Sequence, residues 1–175
     1  MNINKDNTLT FIKDDGDLYC LMVSPPAVVK KILELASLKP GETLLDLGSG
    51  DGRVIISAVQ EYDVKTMGVE SKDDLVEYSR KKIRELHLED RCDVIEGDLK
   101  KYDLSRADVV VFYLGAGDVT QELKSKFEKK LSEGGRIITV NVTILGLKPL
   151  KEEKVLEDGN SHFVYMYKDS TAEVT

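Results

Sequence analysis

The stretch Asp46-Leu47-Gly48-Ser49-Gly50-Asp51-Gly52 sets a carboxylate just ahead of three glycines that alternate with other residues. Glycine lets a backbone turn through positive φ and come close to a ligand. In the dinucleotide fingerprint the third glycine follows the second by three positions. That position here is Arg53, so a nicotinamide dinucleotide is disfavoured. A ligand with an α-amino-acid end fits better, because the Asp46 carboxylate could bind its amino group while the loop amides take its carboxylate.

Two further acids follow at intervals that suit the rest of such a ligand. Glu70 lies 22 residues after Gly48, close to the offset of about 20 at which an acidic residue reaches ribose hydroxyls in doubly wound folds. A carboxylate there can accept from both hydroxyls of an unphosphorylated ribose. Glu96-Gly97-Asp98-Leu99 places another acid, and Asp98 could accept from an adenine amino group. Each feature has an ordinary alternative, since glycine turns between strand and helix are common and an acid at a strand end is usually solvated. The three in order point to S-adenosylmethionine, with Asp46, Gly48, Ser49, Gly50, Gly52, Glu70, Ser71, Asp98 and Leu99 as the expected contacts.

These residues need elements that bring them to one edge. Thr43-Leu44-Leu45-Asp46-Leu47 is a short apolar run that stops at glycines, as a buried parallel strand does. Before it, Ser24-Pro25-Pro26 opens a segment to Ala36 whose apolar residues recur at helical spacing. After it, helices are expected over 53–62, 72–87 and 119–131, and strands over 66–70, 92–95, 108–113 and 136–140. Alternation of this kind implies a parallel sheet covered on both faces. The ending differs: Lys154-Val155-Leu156 and Phe163-Val164-Tyr165-Met166-Tyr167 bracket Asp158-Gly159-Asn160 with no helix between them, which predicts an antiparallel pair closing the sheet.

With 175 residues, 41% of them hydrophobic, the chain can bury one substantial core. Residues 23–168 are read as the main domain, 1–22 as an arm or hairpin around Asp14-Asp15-Gly16, and 169–175 as a frayed tail. No apolar run approaches the roughly 20 residues of a membrane span, and the N-terminus lacks a basic and apolar leader, so a cytoplasmic monomer is expected. Cys20 and Cys92 stand alone and indicate neither a disulfide framework nor a zinc site. A net charge of −7 lowers the rank of nucleic acid as a partner, because binding through phosphates rests on a positive field.

Leu45 to Arg53 together with Gly68-Val69-Glu70 resembles the class I methyltransferases. Ser24-Pro25-Pro26, the Gly50-Asp51-Gly52-Arg53 form of the loop and Glu157 to Asn160 ahead of Phe163 to Tyr167 are similar to the small archaeal protein-lysine methyltransferases and their mitochondrial relatives. The likeness runs over about residues 22–168. It implies an α/β, Rossmann-like, doubly wound seven-stranded sheet without an added substrate domain, and lysine side chains of other proteins as methyl acceptors. Two stretches depart from that family. Phe112-Tyr113-Leu114-Gly115-Ala116 replaces a differently shaped Phe-Leu turn, and Thr139-Val140-Asn141 stands where a His-Glu pair is expected.

Methyl transfer from a sulfonium is an in-line displacement that needs a neutral, aligned nucleophile more than an elaborate acid-base set. Burial near a positive charge favours the neutral amine, so water could carry the proton away. Tyr113 is the candidate wall of the acceptor pocket, with Asn141 beside it; the alternative is a tyrosine packed on the sheet rim. His87 and His162 are read as structural, Lys124, Lys126, Lys129 and Lys130 as a solvated helix face, and no metal is expected. The competing functions are methylation of RNA or of a small molecule such as a tetrapyrrole precursor, and a non-catalytic cofactor-binding module.

Overall fold

The computed structural model describes residues 8–12, 18–113, 116–157 and 159–169. Two short strands, β1 (Thr8–Ile12) and β2 (Leu18–Met22), pair antiparallel from Thr8 opposite Met22 to Ile12 opposite Leu18. Asp14-Asp15-Gly16 and the tail beyond Asp169 lie outside the described residues.

Helix α1 (Pro26–Ala36) starts on a proline, whose fixed φ suits a first turn, and buries Val28, Val29, Ile32, Leu33, Leu35 and Ala36 along one side. No side chain of its own caps it. Glu157, 130 residues away, accepts a hydrogen bond from the Ala27 amide at 3.0 Å and supplies the negative charge that a helix N-terminus favours. Strand and helix then alternate: β3 (Thr43–Leu47), α2 (Arg53–Glu61), β4 (Lys65–Glu70), α3 (Asp73–Glu85), β5 (Cys92–Glu96), β6 (Val109–Phe112), α4 (Gln121–Ser132) and β7 (Arg136–Val140). The chain closes with β8 (Lys151–Glu157) and β9 (Asn160–Lys168).

Seven strands form one sheet in the order β5-β4-β3-β6-β7-β9-β8. The first five in that order run parallel, while β9 is antiparallel to both β7 and β8. From β3 the chain moves outward through β4 and β5 and then returns to the other side of β3 at β6. That reversal creates the crevice at the carboxyl ends of the strands where open α/β sheets bind ligands. One face of the sheet carries the core shared with α1, α2 and α3, including Ile32, Ile55, Val76 and Ile83. The other carries α4, with Phe127 edge-on to Phe112 at 5.9 Å between ring centres. Among the described residues no helix is long and apolar enough to cross a membrane.

Two expectations are corrected by the packing. Strand β8 begins at Lys151, because Lys151-Glu152-Glu153-Lys154 forms the exposed, charged start of an edge strand and shows no apolar alternation. The lysine run of α4 is not uniformly solvated. Lys130 is 5% exposed and donates to the Ser105 carbonyl at 3.0 Å, and Lys126 donates to the carbonyls of Lys100 and Tyr102. These two cations tie α4 to the segment between β5 and β6, whereas Lys129 stays exposed beside Glu133.

The loop after β3 lies directly on β4. A Cβ on Gly68 would stand 2.4 Å from Ser49 Oγ and 2.6 Å from Ser49 Cβ, so only glycine at this point admits the loop. Gly68→Ala is therefore expected to lower stability by about 1–3 kcal/mol through overpacking. Adding Ser49→Gly should recover most of that loss, and urea denaturation of the single and double variants measures both effects.

Candidate active site

Three glycines shape the turn after β3 with positive φ, Gly48 at 82°, Gly50 at 54° and Gly52 at 77°. These are angles that residues with a Cβ rarely adopt. The Gly48 and Ser49 amides both donate to the Val69 carbonyl, at 2.8 and 3.1 Å, which fixes the turn against the end of β4. Ser79 of α3 donates its hydroxyl to the Gly50 carbonyl at 2.9 Å.

Glu70 holds the turn from the other side. It is buried, and one carboxylate oxygen accepts from the Gly50 amide at 3.0 Å. The other accepts from the amides of Ser71 and Lys72, at 2.8 and 3.0 Å, at the start of α3. One side chain thus joins the glycine turn to a helix N-terminus, where negative charge is favoured.

Asp46 is buried at the end of β3. Burial, with the Glu70 and Asp51 carboxylates nearby, pushes its carboxyl up to about 7. Asp51 has the opposite fate. Burial works to raise it, but the hydrogen bonds and charge of Arg53, with Lys82, outweigh that and hold it below the usual carboxylate range. Arg53 meets both Asp51 oxygens at 2.9 Å and donates to the Ser24 carbonyl at 2.7 Å, so the segment before α1 is clamped to the turn.

A cavity of about 230 Å³ opens between these parts, lined by Ser24, Asp46, Gly48, Gly50, Glu70 and Tyr113 among others. Ser49, Ser71 and Leu99 line it as well. Of the other expected site residues, Gly52 turns the chain into α2 next to Ser79. Asp98 is exposed and accepts from the Lys100 amide at 2.9 Å, outside the lining. Asn141, also outside it, donates to the Tyr113 hydroxyl at 3.3 Å. A larger cavity of about 570 Å³ lies against α1, α2 and α3, but Asp46, Gly48, Gly50 and Glu70 do not line it, so the chemistry selects the smaller one.

Sequence reasoning misses two features of this region. It gives Arg53 no role beyond spoiling a dinucleotide fingerprint, although an Asp-x-Arg spacing in a turn is a recognisable signal for a local ion pair. His162 carries no local signal, and it packs beside Tyr113 and Asn141 only because β9 inserts next to β7.

The fit to a sulfonium nucleoside can be tested on the residues themselves. A buried carboxylate near neutrality suits an ammonium group, and an open row of glycine backbone admits an amino-acid carboxylate. The Ser49 hydroxyl is buried with no hydrogen-bond partner among the described residues. Both the sheet and the turn at its switch point are those of an S-adenosylmethionine-dependent methyltransferase. Within that class the chain belongs to the family described as the ANTKMT methyltransferase domain, whose model matches residues 46–151.

A protein-lysine N-methyltransferase of Saccharolobus islandicus is 36% identical over 146 residues, which cover 82% of this chain and 89% of that protein. An ATP synthase lysine N-methyltransferase of Xenopus laevis is 31% identical over 121 residues, 68% of this chain and 52% of the relative. Among solved structures, an RNA methyltransferase from Salinibacter ruber in complex with S-adenosyl-L-homocysteine superposes with a TM-score of 0.69 at 29% identity, over 85% of this chain and 95% of that one.

The Asp46 shift has a thermodynamic consequence. A carboxyl raised on folding contributes stability that is complete below its unfolded value near 3.9 and is lost as pH rises through about 7. Asp46→Asn removes that loss. The ligand-free variant should be more stable than the parent by a margin that grows from pH 4 to pH 7 and then levels at roughly 2–4 kcal/mol. Thermal denaturation across that range checks the sign and the plateau.

Proposed function

We propose that this methyltransferase acts on lysine side chains of proteins. The observation that carries the reading is the 36% identity to a protein-lysine N-methyltransferase along 89% of that protein's length. The cofactor supplies a methyl group activated as a sulfonium. In this reading Asp46 binds its α-amino group, the amides of the glycine turn face its carboxylate, and Glu70 accepts from its ribose hydroxyls. Leu99 packs against the adenine. Asp98, being exposed, reaches only its outer edge. Tyr113 stands at the acceptor side of the same cavity and orients the incoming amine, which must be neutral to attack.

An RNA acceptor is the second reading, favoured by the likeness to the RNA methyltransferase of Salinibacter ruber. The net charge of −7 opposes it, because affinity for nucleic acid comes largely from cations that neutralise phosphates. The same charge favours basic protein segments.

Incubation with labelled cofactor and fractionated cell extract, followed by mass spectrometry, separates the two. The expected product is methyl-lysine in protein, formed faster as pH rises and the free-amine fraction grows. Label confined to RNA or to a small metabolite would overturn the proposal.

A further inference from the structure

Beside the cavity, three side chains from separate elements meet in one hydrogen-bonded cluster. Tyr113 follows β6, Asn141 follows β7, and His162 lies on β9. The Tyr113 hydroxyl is 3.4 Å from His162 Nδ1, and Asn141 Nδ2 is 3.3 Å from both that hydroxyl and that nitrogen.

Donor and acceptor roles follow from Asn141. Its backbone has φ of 57°, a left-handed conformation that asparagine tolerates better than most residues. Its amide donates to the Phe163 carbonyl at 2.8 Å, and its Oδ1 accepts from the Phe163 amide at 2.8 Å. Because that amide is a donor, the atom facing it must be the oxygen, so Nδ2 is the group turned to the histidine. Nδ2 can only donate. His162 Nδ1 is therefore the acceptor, and the neutral ring carries its proton on Nε2.

Two consequences follow. Nδ2 also donates to the Tyr113 oxygen, so the Tyr113 O–H is free to point at Nδ1. His162 Nε2, meanwhile, is buried with no hydrogen-bond partner among the described residues. An unmade bond at a buried donor costs free energy, and a ring held in this tautomer at that cost calls for a reason beyond packing. Burial also raises the Tyr113 hydroxyl, against the opposing effect of the Asn141 hydrogen bond, so it stays protonated.

We propose that this cluster is a proton relay that neutralises the acceptor amine: the Tyr113 oxygen takes a proton from the substrate ammonium while the Tyr113 hydroxyl proton passes to His162 Nδ1. The relay rests on the lysine reading given above. The step balances, since an ammonium and a neutral imidazole become a neutral amine and an imidazolium, with tyrosine neutral before and after. The amine lone pair then forms the new N–C bond as the C–S bond breaks and its electron pair goes to sulfur. In this scheme Tyr113 is the catalytic residue, and His162 and Asn141 are positioning residues that act through it.

The electrostatic surroundings of the ring are defined by strand register. His162 sits opposite Val155, and the charged residues of β8 on that same face are Lys151, Glu153 and Glu157. Glu157 is engaged by the Ala27 amide, and Glu153 lies within electrostatic reach of Lys31 on α1. Lys154 is on the opposite face, over the Phe163 ring. Two carboxylates thus share a sheet face with the imidazolium that the relay would form.

Single-turnover methylation of poly-L-lysine with saturating S-adenosylmethionine, followed from pH 6.5 to 10, tests the relay in the full chain. The variants are Tyr113→Phe and His162→Asn; the second keeps an acceptor oxygen in the place of Nδ1 but cannot take a proton. Both should lose at least tenfold in rate at pH 7, within the range of general-base catalysis. The deficit should shrink toward pH 10 as bulk solvent deprotonates the amine, while calorimetric cofactor affinity stays within twofold of the parent. Wild-type rates in both variants, or a loss that is equal at every pH, would overturn the relay and leave the lysine reading intact. Absence of methyl-lysine with the unmodified enzyme would overturn the lysine reading and the relay with it.

Discussion

Two carboxylates buried side by side at the ends of adjacent parallel strands set the terms for the rest of this molecule. Asp46 ends β3 and Glu70 ends β4, each less than a tenth exposed. Burying such groups without partners costs several kcal/mol. Glu70 meets that cost with three backbone amides, one from the glycine turn and two from the start of α3. Asp46 has no such set, and its carboxyl is pushed up to about 7. The free protein therefore holds one satisfied anion and one carboxyl that stays largely neutral until a cation arrives.

Much of the surrounding architecture maintains that arrangement. Gly68 is bare so that Ser49 can lie on β4, and Ser79 fixes the far side of the turn through the Gly50 carbonyl. The cavity wall contributed by Ser24 is held from two directions. Arg53 ties it to the turn, and Glu157, from the last hairpin of the sheet, caps the helix that follows it. Sequence-distant ends of the chain thus meet at the start of α1. The insertion of β9 beside β7 then delivers His162 to the acceptor side, next to Tyr113 and Asn141.

Features that depend on local pattern were legible in the sequence, and features that depend on topology were not. The strands Thr43–Leu47 and Arg136–Val140 were readable to the residue, because a fully buried parallel strand is a short apolar run bounded by glycine. The acids at the ends of β3 and β4 followed from their spacing to the glycine turn. The start of β8 did not, since an edge strand made of Lys and Glu carries no hydrophobic signal. Lys130 looked solvated because nothing near it in sequence announces the Ser105 carbonyl it reaches. Nor could spacing show that the first residues of β9 would flank the end of β7, which is what makes His162 more than a strand residue.

The central claim, that the cofactor lies in the cavity bounded by Asp46 and Glu70, is tested most directly by a crystal structure with S-adenosylhomocysteine bound. The ligand's α-amino group should lie within hydrogen-bond distance of the Asp46 carboxylate, and its ribose hydroxyls within that distance of Glu70. A ligand seated instead in the larger cavity against α1, α2 and α3, with Asp46 and Glu70 untouched, would contradict it.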